Sequence, residues 1–320
     1  MRRCTFPPVR IFQHESAMTT KTIDLLCIGN PCADVVIRCE RLPAWDDKCA
    51  GTALGTHAGG TEANVACAAS RLGWRSAVLG EVGDDAHASF LIDAFVADQV
   101  STRWLTQRAQ CASASTMLMV SPEGERAIVW VPMPPAAWPP AEIEEALALS
   151  RWVYTMPYDL GKLATLHAAA RRHGTQLAID VEREAAREPG LLAQFLQYCD
   201  IAFMNQSGYA TAFGAEPDEA GLRALRAQGD AHTIVVTLGS RGAIAIDANE
   251  VAAVPASVVD VVDTTGAGDT FNAAFLVAHA RSSSLRSTLR FACDAAGHTV
   301  GRVGARSAMP HLGDVVISAE

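Results

Sequence analysis

The chain has 320 residues, and its 35 acidic against 26 basic side chains give a formal net charge of −9, which lacks the basic excess expected of a nucleic-acid binder. Apolar residues make up 49%, enough to build the core of one large α/β domain with an appendage. No run approaches the roughly 18 unbroken apolar residues of a membrane span. The nine cysteines are scattered, with no CxxC pair and no Cys/His cluster at zinc spacing, so the chain reads as a reduced, cytoplasmic protein.

The first residues stand apart. Met1 to Gln13 is basic and carries prolines, and it lacks the apolar stretch and small-residue cleavage site of a secretory signal. We expect a disordered leader over residues 1–22 and one domain over 23–320. From Asp24 onward, short apolar runs alternate with helical patterns. Asp24–Gly29 predicts a strand, Glu62–Leu72 a small-residue helix, Ser76–Gly80 a strand and Ala86–Ala97 a helix. Further strands are predicted at Trp152–Thr155, Gln176–Asp180, Ile201–Met204 and Thr233–Thr237, with helical patterns between them at Leu163–Arg172 and Glu219–Ala227. Helices at Ala267–Ala280 and Leu285–Val300 close the chain. Such alternation specifies a three-layer α/β/α domain around a mostly parallel sheet.

Two stretches break the rhythm. Val35–Arg38 with Ala50–His57, and Ser113–Val120 with Ala127–Val131, read as strands without intervening helices, and Pro122-Glu123-Gly124-Glu125 supplies a turn for the second pair. They predict a small β-sheet, formed by residues 35–57 and 111–131, standing off the main body. It serves either as a lid over an active site or as a sheet extension and dimer surface. Pro132–Pro140 returns the chain to the main domain.

The chemistry is concentrated in Asp260–Phe275, DVVDTTGAGDTFNAAF. A β-branched run ends at Asp263, and a Gly-Ala-Gly turn then opens a helix whose first amides lack partners at the positive end of the macrodipole. Gly266 and Gly268 let an anion approach that backbone. A carboxylate in the same turn, Asp269, would repel a phosphate unless its task is to take a proton from an attacking hydroxyl. Taken alone, GAGD fits a tight turn with an acidic helix start equally well.

The longer string DTTGAGDTF closely resembles the C-terminal signature of the ribokinase-like (PfkB) carbohydrate kinases. The resemblance implies a ribokinase-like fold, with Asp269 as catalytic base and Gly266, Ala267 and Gly268 as the anion hole. Three other pieces follow in the expected order over roughly residues 24–311. Ala58–Ala66 (AGGTEANVA) resembles the first family signature and assigns substrate contacts to Gly59, Gly60 and Asn64, while Gly29–Asp34 looks like the end of the first strand, with Asp34 clamping substrate hydroxyls. Thr237–Gly242 (TLGSRG) resembles the nucleotide loop and places Thr237, Gly239, Ser240 and Gly242 along ATP, together with Asn205 of Asn205-Gln206-Ser207-Gly208. Phe291–Pro310 is similar to the terminal helix and loop beside the adenine, which implies a monovalent cation, potassium, at Asp263, Thr265, Arg302 and Gly304.

The chain departs from the family in several places. Gly208 replaces the Glu of Asn-x-x-Glu, which leaves the ordering of Mg²⁺ open. Thr61-Glu62 stands inside the first signature, and Cys32 replaces an Asn that helps to hold ribose, so ribose itself fits poorly. Ala308 stands where ribokinases often have Ser. The resemblance implies ATP-dependent phosphorylation of a hydroxyl on a sugar or sugar-like small molecule, in a homodimer joined through the lid. A nucleoside acceptor, which Gly29-Asn30-Pro31 suggests, and a non-catalytic ligand-binding protein on the same fold are the rivals. A sugar phosphate would need a basic residue at the rim, for which Arg38, Lys48, Arg103 and Arg126 are candidates. No GxGxxG follows the first strand, which argues against a nicotinamide enzyme.

Overall fold

The computed structural model describes residues 20–315 apart from 123–124, 136–137, 184, 189 and 282–283. Most of the predicted leader, and Glu123-Gly124 of the predicted turn, lie outside the described residues. Lys21 and Thr22, grouped with the leader on sequence, are docked onto the domain. Lys21 Nζ donates to the Leu147 carbonyl (3.0 Å) and to Thr175 Oγ1 (2.8 Å), and the Thr22 amide donates to the Leu149 carbonyl (3.0 Å).

A nine-stranded sheet organises the main body. Strand β1 (Ile23–Ile28) is flanked in parallel by β4 (Ser76–Val82) and β8 (Ser150–Thr155). Beyond β4 lies β5 (Ser101–Gln107). Beyond β8 come β9 (Gln176–Asp180), β10 (Ile201–Asn205) and β11 (Thr233–Thr237), all parallel. An antiparallel hairpin of β12 (Ala243–Ile246) and β13 (Val251–Val254) finishes that edge.

Both faces of the sheet are covered, so its strands are apolar on both sides. In β1, Leu25 and Cys27 belong to one core while Leu26 and Ile28 belong to the other, as a period of two requires. The first core is closed by α1 (Thr61–Arg71), α8 (Ala267–His279) and α9 (Leu285–Thr299), with Phe95 of α2 (Ala86–Ala97). The second is closed by α3 (Pro140–Leu149), α4 (Leu160–Arg172), α5 (Leu191–Phe195), α6 (Gln206–Phe213) and α7 (Glu219–Arg226). This is the expected three-layer fold.

The small sheet is a second, separate one of four strands, in the order β3 (Gly51–Gly59), β2 (Cys32–Cys39), β6 (Ala114–Val120), β7 (Arg126–Val131). Its two antiparallel pairs are joined by the parallel pair β2 and β6, a long-range pairing that strand patterns alone do not announce. The sequence places Asp34 at the end of the first strand; the structure corrects this. Strand β1 stops at Ile28, Pro31 interrupts the ladder for want of an amide hydrogen, and Asp34 is the third residue of β2, opposite His57 and Thr116. Asp34 thus stands at the base of the small sheet.

Candidate active site

The loop before α8 is shaped by one glycine. Gly266 has φ of 78°, and a Cβ there would lie 2.4 Å from the Ala305 carbonyl oxygen, so no other residue fits without displacing the C-terminal loop. The first helical hydrogen bond runs from the Thr270 amide to the Gly266 carbonyl (2.9 Å), which leaves the Gly268 and Asp269 amides outside the helical ladder. A side chain on Gly268 would meet nothing within 4 Å. A small anion can therefore approach these amides.

Asp269, in that same turn, is half-buried. Its Oδ2 accepts from Asn64 Nδ2 at 2.7 Å, while Oδ1 has no donor among the described residues. Burial pushes its carboxyl up to about 7. The Asn64 hydrogen bond and the Arg306 charge work against the rise, and the Asp180 and Glu182 carboxylates add to it. A carboxylate with a free oxygen and a pKa near neutrality suits proton abstraction.

Asn64, buried in the first turn of α1, is held from its other end. Arg306 Nε donates to Asn64 Oδ1 (2.8 Å), and the second arm of the same guanidinium donates to the Gly59 carbonyl (3.1 Å). Gly59 is fixed by Asp34: a Cβ there would fall 2.1 Å from Asp34 Oδ2. Asp34 Oδ1 accepts from Thr116 Oγ1 at 2.6 Å, and burial raises its carboxyl despite that bond, the Cys32 thiol and the Arg306 charge. Asp34, Gly59, Asn64 and Asp269 thus form one continuous wall.

Behind this wall sits a second set of carboxylates. Asp180, at the end of β9, accepts from Asn272 Nδ2 (2.8 Å) and the Tyr154 hydroxyl (3.3 Å), and burial raises its carboxyl. Glu62 is buried against Gly29, where a Cβ would lie 2.4 Å from its carboxyl carbon. Burial pushes Glu62 up to about 7. All these groups stand at the carboxyl ends of the parallel strands, where open α/β sheets bind ligands. A recess of about 580 Å³ at the opposite ends, lined by His167, Tyr198 and Asp230, brings no comparable set together.

The sequence profile of the pfkB family carbohydrate kinases matches residues 22–312. The chain belongs to that family. It is 27% identical to the ribokinase of Bacillus subtilis over 293 residues, covering 91% of this chain and 97% of that protein. It is 30% identical to fructokinase-2 of Oryza sativa over 295 residues, covering 82% of this chain and 84% of that one. Among solved structures, Arabidopsis thaliana ribokinase complexed with ribose and ATP superposes with a TM-score of 0.81 at 25% identity, over 91% of this chain and 97% of that one.

The loop expected on sequence to follow the nucleotide lies at the same sheet edge. Thr237 ends β11 beside Asn205 of β10, and Gly239 (φ 60°), Ser240 and Gly242 (φ 98°) form the turn into β12. No hydrogen bond joins this group to Asp269 among the described residues. Asn205 Oδ1 caps α6 by accepting from the Gly208 amide (2.8 Å), a helix-capping role that needs no Glu at 208. No group of three or more His, Cys, Asp or Glu among the described residues is placed to hold a metal ion.

The residues expected to hold a cation are only partly brought together. Asp263 Oδ2 accepts from the Gly304 amide (2.9 Å), and Oδ1 accepts from the Thr265 amide (2.9 Å) and hydroxyl (2.7 Å). Arg126 of lid strand β7 reaches over to this loop, donating to Thr265 Oγ1 (2.7 Å) and to Thr264 Oγ1, with Asp263 Oδ1 at 3.5 Å. Burial would raise the Asp263 carboxyl, but the Gly304 amide, the Thr265 donors and Arg126 outweigh it and hold it low. Oδ1 is filled and Arg302 is exposed, so a cation would share Oδ2 with Gly304. Of the four basic rim candidates, Arg126 alone is shown reaching the loop before α8. Arg103 pairs with Glu145 on the far edge, and Arg38 and Lys48 are exposed on the lid.

Sequence reasoning missed Arg306, Asp180, Asn272 and Glu62 as parts of the site. Asn272 was within reach, because it follows Asp269 by three residues and so shares its helix face. Arg306 had only a string similarity around it.

Proposed function

We propose that this protein transfers the γ-phosphoryl group of ATP to a hydroxyl of a sugar or sugar-like small molecule, with Asp269 as the general base. The observation that supports this best is the Asp269 carboxylate. It has one oxygen held by Asn64 and the other free, it has a pKa raised to about 7, and it sits in the turn whose Gly268 and Asp269 amides stand free. Asp34, Gly59, Gly60 and Asn64 orient the acceptor, and Thr237, Gly239, Ser240, Gly242 and Asn205 lie along the nucleotide.

Mg²⁺ bound to the phosphates neutralises their charge when present. Asn64 aims the Asp269 carboxylate, Oδ1 receives the acceptor proton as its oxygen attacks in line, and the Gly266–Gly268 turn faces the charge on the phosphoryl oxygens. The lid, with Asp34 at its base and Arg126 reaching the catalytic loop, excludes the water that would otherwise compete. Exposed Met117, Ile128, Val129, Trp130 and Val131 give the lid an apolar surface suited to a homodimer, which light scattering of the wild type and of Trp130→Lys tests.

The test is ATP consumption against sugars, sugar phosphates and nucleosides, with an Asp269→Asn control. Turnover of an acceptor that disappears in the variant while ATP still binds is the expected result. Wild-type turnover in Asp269→Asn would refute the assignment of the base. A nucleoside accepted in preference to every sugar would refute the substrate class.

A further inference from the structure

We propose that Arg306 is a positioning residue for the reaction, and that its single guanidinium sets both the orientation and the basicity of Asp269 through Asn64. The proposal rests on the reading of Asp269 as the base. Nothing in the DTTGAGDTF signature or its companion pieces assigns Arg306 a role, and it sits 242 residues from Asn64 in sequence.

A primary amide has one acceptor end and one donor end, and either end could face a carboxylate's surroundings. Arg306 removes that freedom. With Nε donating to Asn64 Oδ1 at 2.8 Å, the amide nitrogen is obliged to face the other way, and there it donates to Asp269 Oδ2 at 2.7 Å. An Asn turned round would present its oxygen to the carboxylate and repel it. The Arg306 fork also holds the Gly59 carbonyl at 3.1 Å, so the same group pins the backbone glycine against which Asp34 packs.

Arg306 is itself locked. It is 8% exposed, its guanidinium carbon lies 5.3 Å from the Phe95 ring centre, and Arg71 donates to its carbonyl at 2.6 Å. A buried, always-charged cation in this place lowers the carboxyls of Asp34 and Asp269 against their burial and, at Asp269, against the nearby Asp180 and Glu182 charges. Lysine could keep the charge but not the fork, and methionine could keep the bulk but neither.

The test uses Arg306→Met and Arg306→Lys in the full-length protein. The direct readout needs no acceptor: the ¹³Cγ shift of Asp269 in aspartate-labelled protein, identified by its loss in Asp269→Asn, is followed against pH. In Arg306→Met the Asp269 midpoint rises by about one pH unit, and in Arg306→Lys it stays within about 0.3. With D-ribose, D-fructose or whichever acceptor is turned over, kcat falls about 30-fold or more in Arg306→Met and about tenfold in Arg306→Lys, with ATP affinity unchanged in both. An Asp269 midpoint in folded Arg306→Met that matches wild type overturns the proposal, even if kcat falls, because a merely structural arginine would lower activity without moving that titration. Turnover surviving in Asp269→Asn would instead overturn the base assignment and this role with it. A dead Asp269→Asn beside an unmoved midpoint overturns this role alone.

Discussion

Glu62 is the cleanest place to test whether the site's carboxylates are strained by burial. The residue is 9% exposed, it packs on Gly29, and its carboxyl is met by its own backbone amide and, at 3.4 Å, by the Met156 amide. Burial pushes its carboxyl from an ordinary 4.5 to about 7. The folded state therefore holds the proton more tightly than the unfolded chain. The stability this confers is fully present below about 4.5 and is lost as pH rises through about 7. The gap corresponds to about 3 kcal/mol as an upper bound, and roughly 2 kcal/mol is the working figure because the nearby Asp269 and Glu182 charges share in the effect. Glu62→Gln keeps the shape and removes the ionisation. Urea denaturation at pH 5 and pH 8.5 should show the variant and wild type nearly equal at the lower pH. At the higher pH the variant should be about 2 kcal/mol more stable. A variant less stable than wild type at pH 8.5, or a difference that does not change between the two pH values, would show that Glu62 is satisfied as an anion and would refute the burial argument.

Turnover should fall on the acid side with a midpoint near 7, because Asp269 acts as a base only when deprotonated and its carboxyl is raised to about 7; a kcat flat from pH 5.5 to 8 would contradict this. Gly59→Ala should raise the acceptor KM by about tenfold or more while leaving ATP affinity unchanged, since its Cβ would fall 2.1 Å from Asp34 Oδ2; steady-state kinetics check it. Exchanging K⁺ for Na⁺ should change kcat by no more than about twofold, because Asp263 Oδ1 is already filled and Arg126 supplies positive charge.

The layers of the main domain were legible because both signals that matter are local. Apolar runs such as Leu177–Ile179 and Ile234–Val236 are buried on both faces, and the helices between them begin at side chains that cap their own backbone, as Asp85, Asp159 and Asp218 do. Strand β5 escaped notice because, of its seven residues, only Trp104 is buried. The central pairing of the lid escaped because β2 and β6 are joined in parallel across more than 70 intervening residues, a pairing that no local pattern encodes. The catalytic turn was legible for the opposite reason. Gly266, the Thr265 donors to Asp263 and the start of α8 fall within a few residues of one another, so their chemistry is written in one string.

The positions of the buried charges follow a different logic, and they explain why the site reads as so acidic. Each carboxylate is placed by a separate element: Asp34 by the lid, Glu62 by α1, Asp180 by β9 and Asp269 by α8. Burial raises the pKa of all four, and neighbouring carboxylates add to the rise at Glu62 and Asp269. A base is useful only if it is ionised when the acceptor arrives. The fold meets this by giving Asp269, but not Glu62, a hydrogen-bond donor in Asn64, and by backing that donor with the Arg306 cation. Asp180 is held by neutral Asn272 and Tyr154, which stabilise it in either state more weakly than a cation would. Asn64 with Arg306 behind it thus distinguishes Asp269 from its neighbours. That pairing joins the first turn of α1 to the C-terminal loop, which is why neither signature revealed it when read by itself.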